Sequence, residues 1–326
     1  MKAIICESIG KLEDLKLEDV AAPVMREDQV RIRIRATALN FPDILIVQGK
    51  YQHRPSLPFS PGMECAGEIV EVGSQVTGSF KPGDRVMANA GVGCLAEQIC
   101  AEPEKVYAIP DNVSYEAAAG FIVTYGTVYH AFIDRGHLRP GETLLVLGAA
   151  GGVGLCAVEL GKLLGAQVIA AASNENKLEL CEQYGADHLL DYTKLPIKES
   201  ILEITDNKGV DVVFDPVGGD ATFQSLRCMN REGRLLIIGF AGGSIADIPA
   251  NRLLLRQCQA VGVAFGAYGM QFPAKVRTNM KVLTDWWKHG MLKPHVSMTF
   301  PLEQSIQAMN ALTTRQATGK VVVTID

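Results

Sequence analysis

Four glycines, Gly148, Gly151, Gly152 and Gly154, stand between the apolar run LLVL and the segment LCAVELGKLLGA. A pyrophosphate can rest against main-chain N–H groups only where side chains are absent, and a helix that starts there adds its positive end. Val153, Ala157, Leu160 and Leu164 recur at helical spacing, so the glycines open a helix that can lie on a sheet. Strand, glycines and helix in this order form a dinucleotide-binding turn, with Gly151, Gly152 and Val153 against the phosphates. The next strand, QVIAAA, ends at Ala172, where an acid would normally accept the ribose hydroxyls. This chain has Ser173 there, and Lys177 four residues later. A hydroxyl and an ammonium accept a 2′-phosphate that a carboxylate would repel, so NADPH is the expected cofactor.

Other chemistries leave little trace. There is no G-x-S-x-G for a hydrolase and no G-x-x-x-x-G-K-[ST] for a nucleotide triphosphatase. The 6 histidines show no metal spacing, and the 8 cysteines are scattered singly without a C-x-x-C pair, which argues against a disulfide framework. A formal net charge of -5 offers no basic field to nucleic acid. The longest uncharged, largely apolar run, 144–158, has 15 residues and four glycines, too short and interrupted to span a membrane. The N-terminus MKAIICESIGKLEDLKLEDV lacks a secretory apolar core, so the expectation is a reduced, cytoplasmic protein.

The elements that position these residues fall into two kinds. With 326 residues, 48% hydrophobic and 21% charged, the chain is long enough for about two globular domains. Its first 110 residues read as β. Val30 through Ile34 alternate apolar and polar, ECAGEIVEVG and DRVMANA add short strands, and Pro55, Pro58 and Pro61 mark a loop, which suggests a small barrel or sandwich. From Ser114, a plausible N-cap, SYEAAAGFIVTYGTVYHAFIDRG reads as helix. Then LLVLG, QVIAAA, DHLLDY, GVDVVFD and GRLLIIGF alternate with helical stretches, the pattern of a parallel sheet covered on both faces. A helix at 281–289 and strands HVSMTF and KVVVTID close the chain, which predicts a β-rich domain interrupted by an α/β domain.

Gly62, Glu64, Gly67, Gly73 and Gly83-Asp84, together with AAGGVG and the closing GKVVV, resemble the signature of the medium-chain dehydrogenase/reductase superfamily. The resemblance covers essentially the whole chain. It implies an α/β protein, with a GroES-like β-rich catalytic domain (1–122 and 264–326) split around a Rossmann doubly wound parallel-sheet domain (123–263). It also implies an active site in the cleft between them.

Where zinc-dependent members carry metal ligands, this chain has Asn40, Met63 and Ala119, none of which replaces a thiolate or imidazole. The four-cysteine lobe of a structural zinc is absent as well. The chain therefore resembles the zinc-free, zeta-crystallin-like quinone oxidoreductases. That resemblance implies Asn40 and Tyr51 at the acceptor, with Asp43 steadying the same loop. It implies Thr124, Phe240 and Phe265 around the nicotinamide, and Ser173, Lys177, Tyr192 and Arg315 around a 2′-phosphate. The implied reaction is transfer of hydride from NADPH to a quinone or similar electron-poor acceptor. The implied assembly is a homodimer joined by edge strands near 261–265. Reduction of a 2-enoyl thioester or enone is the alternative chemistry, and a non-catalytic NADPH-binding or structural protein is the alternative of another class.

Overall fold

The computed structural model describes residues 1–326. Met1–Val123 and Tyr268–Asp326 form one compact unit, and Thr124–Ala267 form a second.

The chain begins with an antiparallel pair, β1 (Lys2–Ile5) and β2 (Lys16–Asp19). β3 (Val30–Leu39) follows, then β4 (Glu64–Val72), β5 (Arg85–Asn89), β6 (Gln98–Ala101) and β7 (Val106–Ala108). Val30, Ile32 and Ile34 are buried while Arg31, Arg33 and Arg35 are not, as the alternation predicts. From Ala36 to Leu39 every residue is buried, because this half of the strand is covered on both faces. Helix α1 (Phe41–Val47) starts directly after it, with Pro42 in the first turn where no N–H is required.

Ser114 caps helix α2 (Tyr115–Ala119), its hydroxyl accepting the Ala117 N–H. The single helix read from the sequence is interrupted at Gly120. α3 (Phe121–Tyr129) follows, and residues His130–Arg135 widen into a π turn. The break falls where a side chain would not fit: a Cβ on Gly120 would lie 2.8 Å from Cε of Lys320.

The second unit holds β8 (Thr143–Leu147), β9 (Gln167–Ala172), β10 (His188–Asp191), β11 (Val210–Asp215), β12 (Met229–Ile237) and β13 (Gln259–Gly262). All pair in parallel in the order β10-β9-β8-β11-β12-β13. This is the doubly wound arrangement, whose strand order reverses between β8 and β11. Leu145, Leu147, Ile169, Val213 and Leu235 fill its core. Helices α4 (Gly152–Leu163) and α5 (Glu175–Gln183) follow β8 and β9.

The chain then returns to the first unit through the helix Pro273–Lys288, β14 (Val296–Pro301), the helix Ser305–Thr313 and β15 (Lys320–Thr324). The first of these helices starts eight residues before the expected 281. Its Pro273 sits in the first turn, and Val276, Met280, Leu283 and Trp287 give it a buried stripe. The strands make one sheet, ordered β14-β15-β3-β4-β5-β7, with β6 also on β3. β15 pairs with the Ala36–Leu39 half of β3 and β6 with the Val30–Arg33 half, so one long strand serves two partners along one edge.

Candidate active site

The glycine turn occupies the carboxyl end of β8, at the point where the strand order reverses. Gly148 has φ +58, a left-handed conformation, and its carbonyl accepts the Gly151 N–H at 3.0 Å. A Cβ on Gly154 would lie 2.2 Å from the Gly148 oxygen, so only glycine lets the first turn of α4 pack on this loop. Gly151 is the N-cap of α4 and supplies no side-chain hydrogen bond. The leading N–H groups, from Gly152 onward, thus meet no capping side chain, the arrangement that suits a pyrophosphate. The residues of this turn fit a dinucleotide.

The cluster expected at the end of β9 is partly assembled. Lys177 Nζ donates to Ser173 Oγ at 3.5 Å, and Asn174 caps α5 by accepting the Lys177 N–H at 3.0 Å. That cap starts the helix so that Lys177, in its first turn, reaches back to Ser173 just ahead of the cap. β10 runs beside β9, with Asp191 opposite Ala172, and the Tyr192 N–H donates to the Ala172 carbonyl at 3.3 Å. Tyr192 therefore leaves the sheet next to Ser173, half exposed. Arg315 belongs to the first unit, where it follows the helix Ser305–Thr313 with φ +57.

Asn40 ends β3 and precedes α1. Its carboxamide is buried and engaged on both sides. Nδ2 donates to Glu64 Oε1 at 2.9 Å and makes a longer contact of 3.4 Å to the Ala38 carbonyl. Oδ1 accepts from Lys320 Nζ at 2.7 Å. Lys320 Nζ also donates to the Leu39 carbonyl at 2.8 Å and to Glu64 Oε1 at 3.2 Å. The other Glu64 oxygen accepts the Val123 N–H at 2.9 Å.

Asp43 completes the group. Its Oδ2 accepts the Asn40 N–H at 2.8 Å, and its Oδ1 has no hydrogen-bond partner. Burial pushes the Asp43 carboxyl up to about 7, opposed by the Asn40 N–H and Lys320 and reinforced by Glu64. Tyr51, further along the same loop, packs against the core of this unit. Burial raises its phenol, the Gln52 side chain opposes that, and Asp43 adds to it, so at neutral pH Tyr51 is an O–H donor.

Thr124 is buried on α3. Phe240 lies half exposed beyond β12, beside Gly218 in the loop after β11. Phe265 begins a helix, Phe265–Gln271, and is itself buried. Its ring fills the space over Gly126, where a Cβ would come within 2.4 Å of it. Its side chain therefore packs on α3.

Lys320 and the role of Glu64 were not apparent from the sequence. A lysine heading the apolar run VVV was the one visible signal, since a charged residue inside a buried strand needs a partner. Met63, beside Glu64, contributes its main chain, its carbonyl accepting the Ala90 N–H at 2.9 Å, and Ala119 is buried at the end of α2. No three His, Cys, Asp or Glu side chains are grouped to hold a metal.

Comparison with known proteins adds the following. Residues 26–132 match the alcohol dehydrogenase GroES-like domain, and residues 152–284 match the zinc-binding dehydrogenase family. A quinone oxidoreductase-like protein 2 homolog from Nematostella vectensis is 39% identical over 326 residues, covering 99% of this chain and 88% of the relative. The structure of Escherichia coli quinone oxidoreductase complexed with NADPH superposes with a TM-score of 0.93 at 27% identity, covering 99% of this chain and 100% of that one. The CurK enoyl reductase structure gives 0.90 at 27% identity, covering 100% and 99%.

Proposed function

The chain belongs to the quinone oxidoreductase branch of the medium-chain dehydrogenase/reductase superfamily, and from that premise we propose that it is a zinc-independent, NADPH-dependent reductase of quinones or similar electron-poor acceptors. When bound, the nicotinamide cofactor supplies the hydride, and the remaining work falls to the residues described above.

Ser173 and Lys177 support the choice of phosphate over a free ribose hydroxyl, since a hydroxyl and an ammonium stand together where an acid would follow the second strand. Gly151, Gly152 and Val153 hold the pyrophosphate through main-chain N–H groups, while Thr124, Phe240 and Phe265 surround the nicotinamide. Tyr192 joins the phosphate group, and Arg315 is the further cation that the family resemblance implies.

The observation that carries the acceptor class is the state of Asn40. One Nδ2 hydrogen is committed to Glu64, and the other is held only by a long 3.4 Å hydrogen bond to the Ala38 carbonyl, so a developing oxyanion can recruit at most this one neutral donor, by displacing that bond. Asn40, Met63 and Ala119 provide no ligand set for a Lewis acid, although one matching family carries zinc in its description. One amide donor and a protonated Tyr51 suit acceptors that delocalise the charge they receive, as quinones do. A simple ketone needs stronger polarisation.

Reduction of an enoyl thioester by the same groups is the second reading, favoured by the likeness to an enoyl reductase. The exposed edge strand β13 offers a place for a second copy to pair, in keeping with a homodimer. No helix is long and apolar enough to cross a membrane, and a cytoplasmic location agrees with scattered cysteines that are all free thiols. NADPH oxidation measured against quinones, enones and enoyl thioesters tests the assignment. Quinones should give the highest kcat/KM. Turnover of no acceptor would leave the protein a cofactor-binding one, and a preference for an enoyl thioester would establish the second reading.

A further inference from the structure

Lys320 is a buried ammonium whose side chain is fixed at both ends. Its stem lies against Gly120, where a Cβ would approach Cε at 2.8 Å and Cγ at 2.9 Å. Its Nζ has three acceptors, the Leu39 carbonyl, Asn40 Oδ1 and Glu64 Oε1, at 2.8, 2.7 and 3.2 Å. Glu64 accepts on its other oxygen from Val123. The two charges face opposite ends of the Asn40 carboxamide. Lys320 can only donate, so it selects Oδ1, and Glu64 as a carboxylate can only accept, so it selects Nδ2. A flipped carboxamide would place Nδ2 against an ammonium and Oδ1 against a carboxylate.

We infer that Lys320 is a positioning residue, which with Glu64 permits one orientation of the Asn40 carboxamide and so presents its Nδ2, with the hydrogen held only by the long bond to Ala38, as the donor to the acceptor oxygen. The role rests on the assignment of Asn40 to the acceptor made above. Lys320 itself touches neither cofactor nor substrate in this role. It links the last strand of the chain to the junction of β3 and α1, which explains why Gly120 breaks the helix beside it.

Two variants separate positioning from stability. Lys320→Met leaves the Glu64 carboxylate buried without its cation, and its Tm should fall by about 10 °C. Glu64→Gln/Lys320→Met removes both charges, so most of that loss should return. The amide introduced in place of the Glu64 carboxylate keeps its oxygen on the Val123 N–H and turns its NH₂ toward Asn40, so it no longer selects Nδ2 and favours the flipped carboxamide. The double variant should therefore still show kcat at least about tenfold below wild type on the best acceptor found. Its NADPH Kd, read from nicotinamide fluorescence, should stay within about twofold of wild type.

The Asn40 side-chain amide, assigned by its loss in Asn40→Ala, supplies a readout that needs no turnover. Its Nδ2 hydrogens should exchange slowly in wild type and markedly faster in the double variant. Recovery of kcat together with Tm, or unchanged exchange protection, would overturn the inference and leave Lys320 a purely structural residue. If wild type turns over no acceptor, the functional assignment fails, while the exchange measurement still decides what Lys320 does to Asn40.

Discussion

Replacing Asp43 by asparagine removes one ionisation from the Asn40 site while keeping the shape and one acceptor oxygen for the Asn40 N–H. Burial is the main reason the Asp43 carboxyl is pushed up to about 7, against an ordinary value of 3.8. Between these two values the folded protein holds a proton that the unfolded chain has released. The stability this contributes is fully present below 3.8 and is lost as pH rises through about 7, at about 1.4 kcal/mol per pH unit. From pH 5 to pH 7, where the slope flattens as the folded carboxyl itself ionises, the loss amounts to about 2.3 kcal/mol. For a unit of this size each kcal/mol moves the melting point by about 2–4 °C, so the first unit should melt about 5–10 °C lower at pH 7 than at pH 5. Other titrating groups act equally in the variant, and the difference between the two curves isolates Asp43. The asparagine N–H₂ takes the place of an oxygen that has no partner, which costs about 1–3 kcal/mol at every pH but does not change the slope. Scanning calorimetry of cofactor-free wild type and Asp43→Asn from pH 5 to pH 8.5 reads the effect. Parallel curves, or a wild type that gains stability across this window, would refute the reasoning.

Lys177→Ala should weaken NADPH by about tenfold, a loss of about 1.4 kcal/mol at a partly exposed site, and leave NADH nearly unchanged in fluorescence titrations. Equal losses would show that the Ser173 and Lys177 pair does not meet the phosphate. Tyr51→Phe should reduce turnover of a small quinone by less than about tenfold, since solvent can protonate the product oxygens, but should cost about 10²–10⁴-fold on an enoyl thioester. Steady-state kinetics on both substrates checks this, and a collapse of quinone turnover would reassign Tyr51 as an essential proton donor. Elemental analysis of dialysed protein should find no stoichiometric zinc, and activity should survive a chelator. A bound metal whose removal abolishes turnover would contradict the reading of Asn40, Met63 and Ala119.

Much of the architecture was legible in the chain because it follows from local periodicity. Five apolar β runs separated by helical stretches imply a parallel doubly wound sheet, and the glycines after β8 are required wherever a backbone must approach both phosphate and helix. Ser114 as a helix cap, and the missing acid after β9, are likewise local facts that survive folding unchanged. The sharing of β3 between β15 and β6 was not legible, because pairing along an edge depends on strands about 70 and 280 residues away in the chain. The same holds for the helix break at Gly120, which answers to a side chain from the last strand.

Asn40 shows the division most clearly. Its residue type, read against the zinc ligands it replaces, already pointed to a neutral donor. Only the tertiary structure brings Glu64 and Lys320 to opposite ends of its carboxamide and buries Asp43 beneath it. Orientation and protonation depend on which charges meet at a distance of a few ångströms inside a region of low dielectric, and sequence separation carries no information about that.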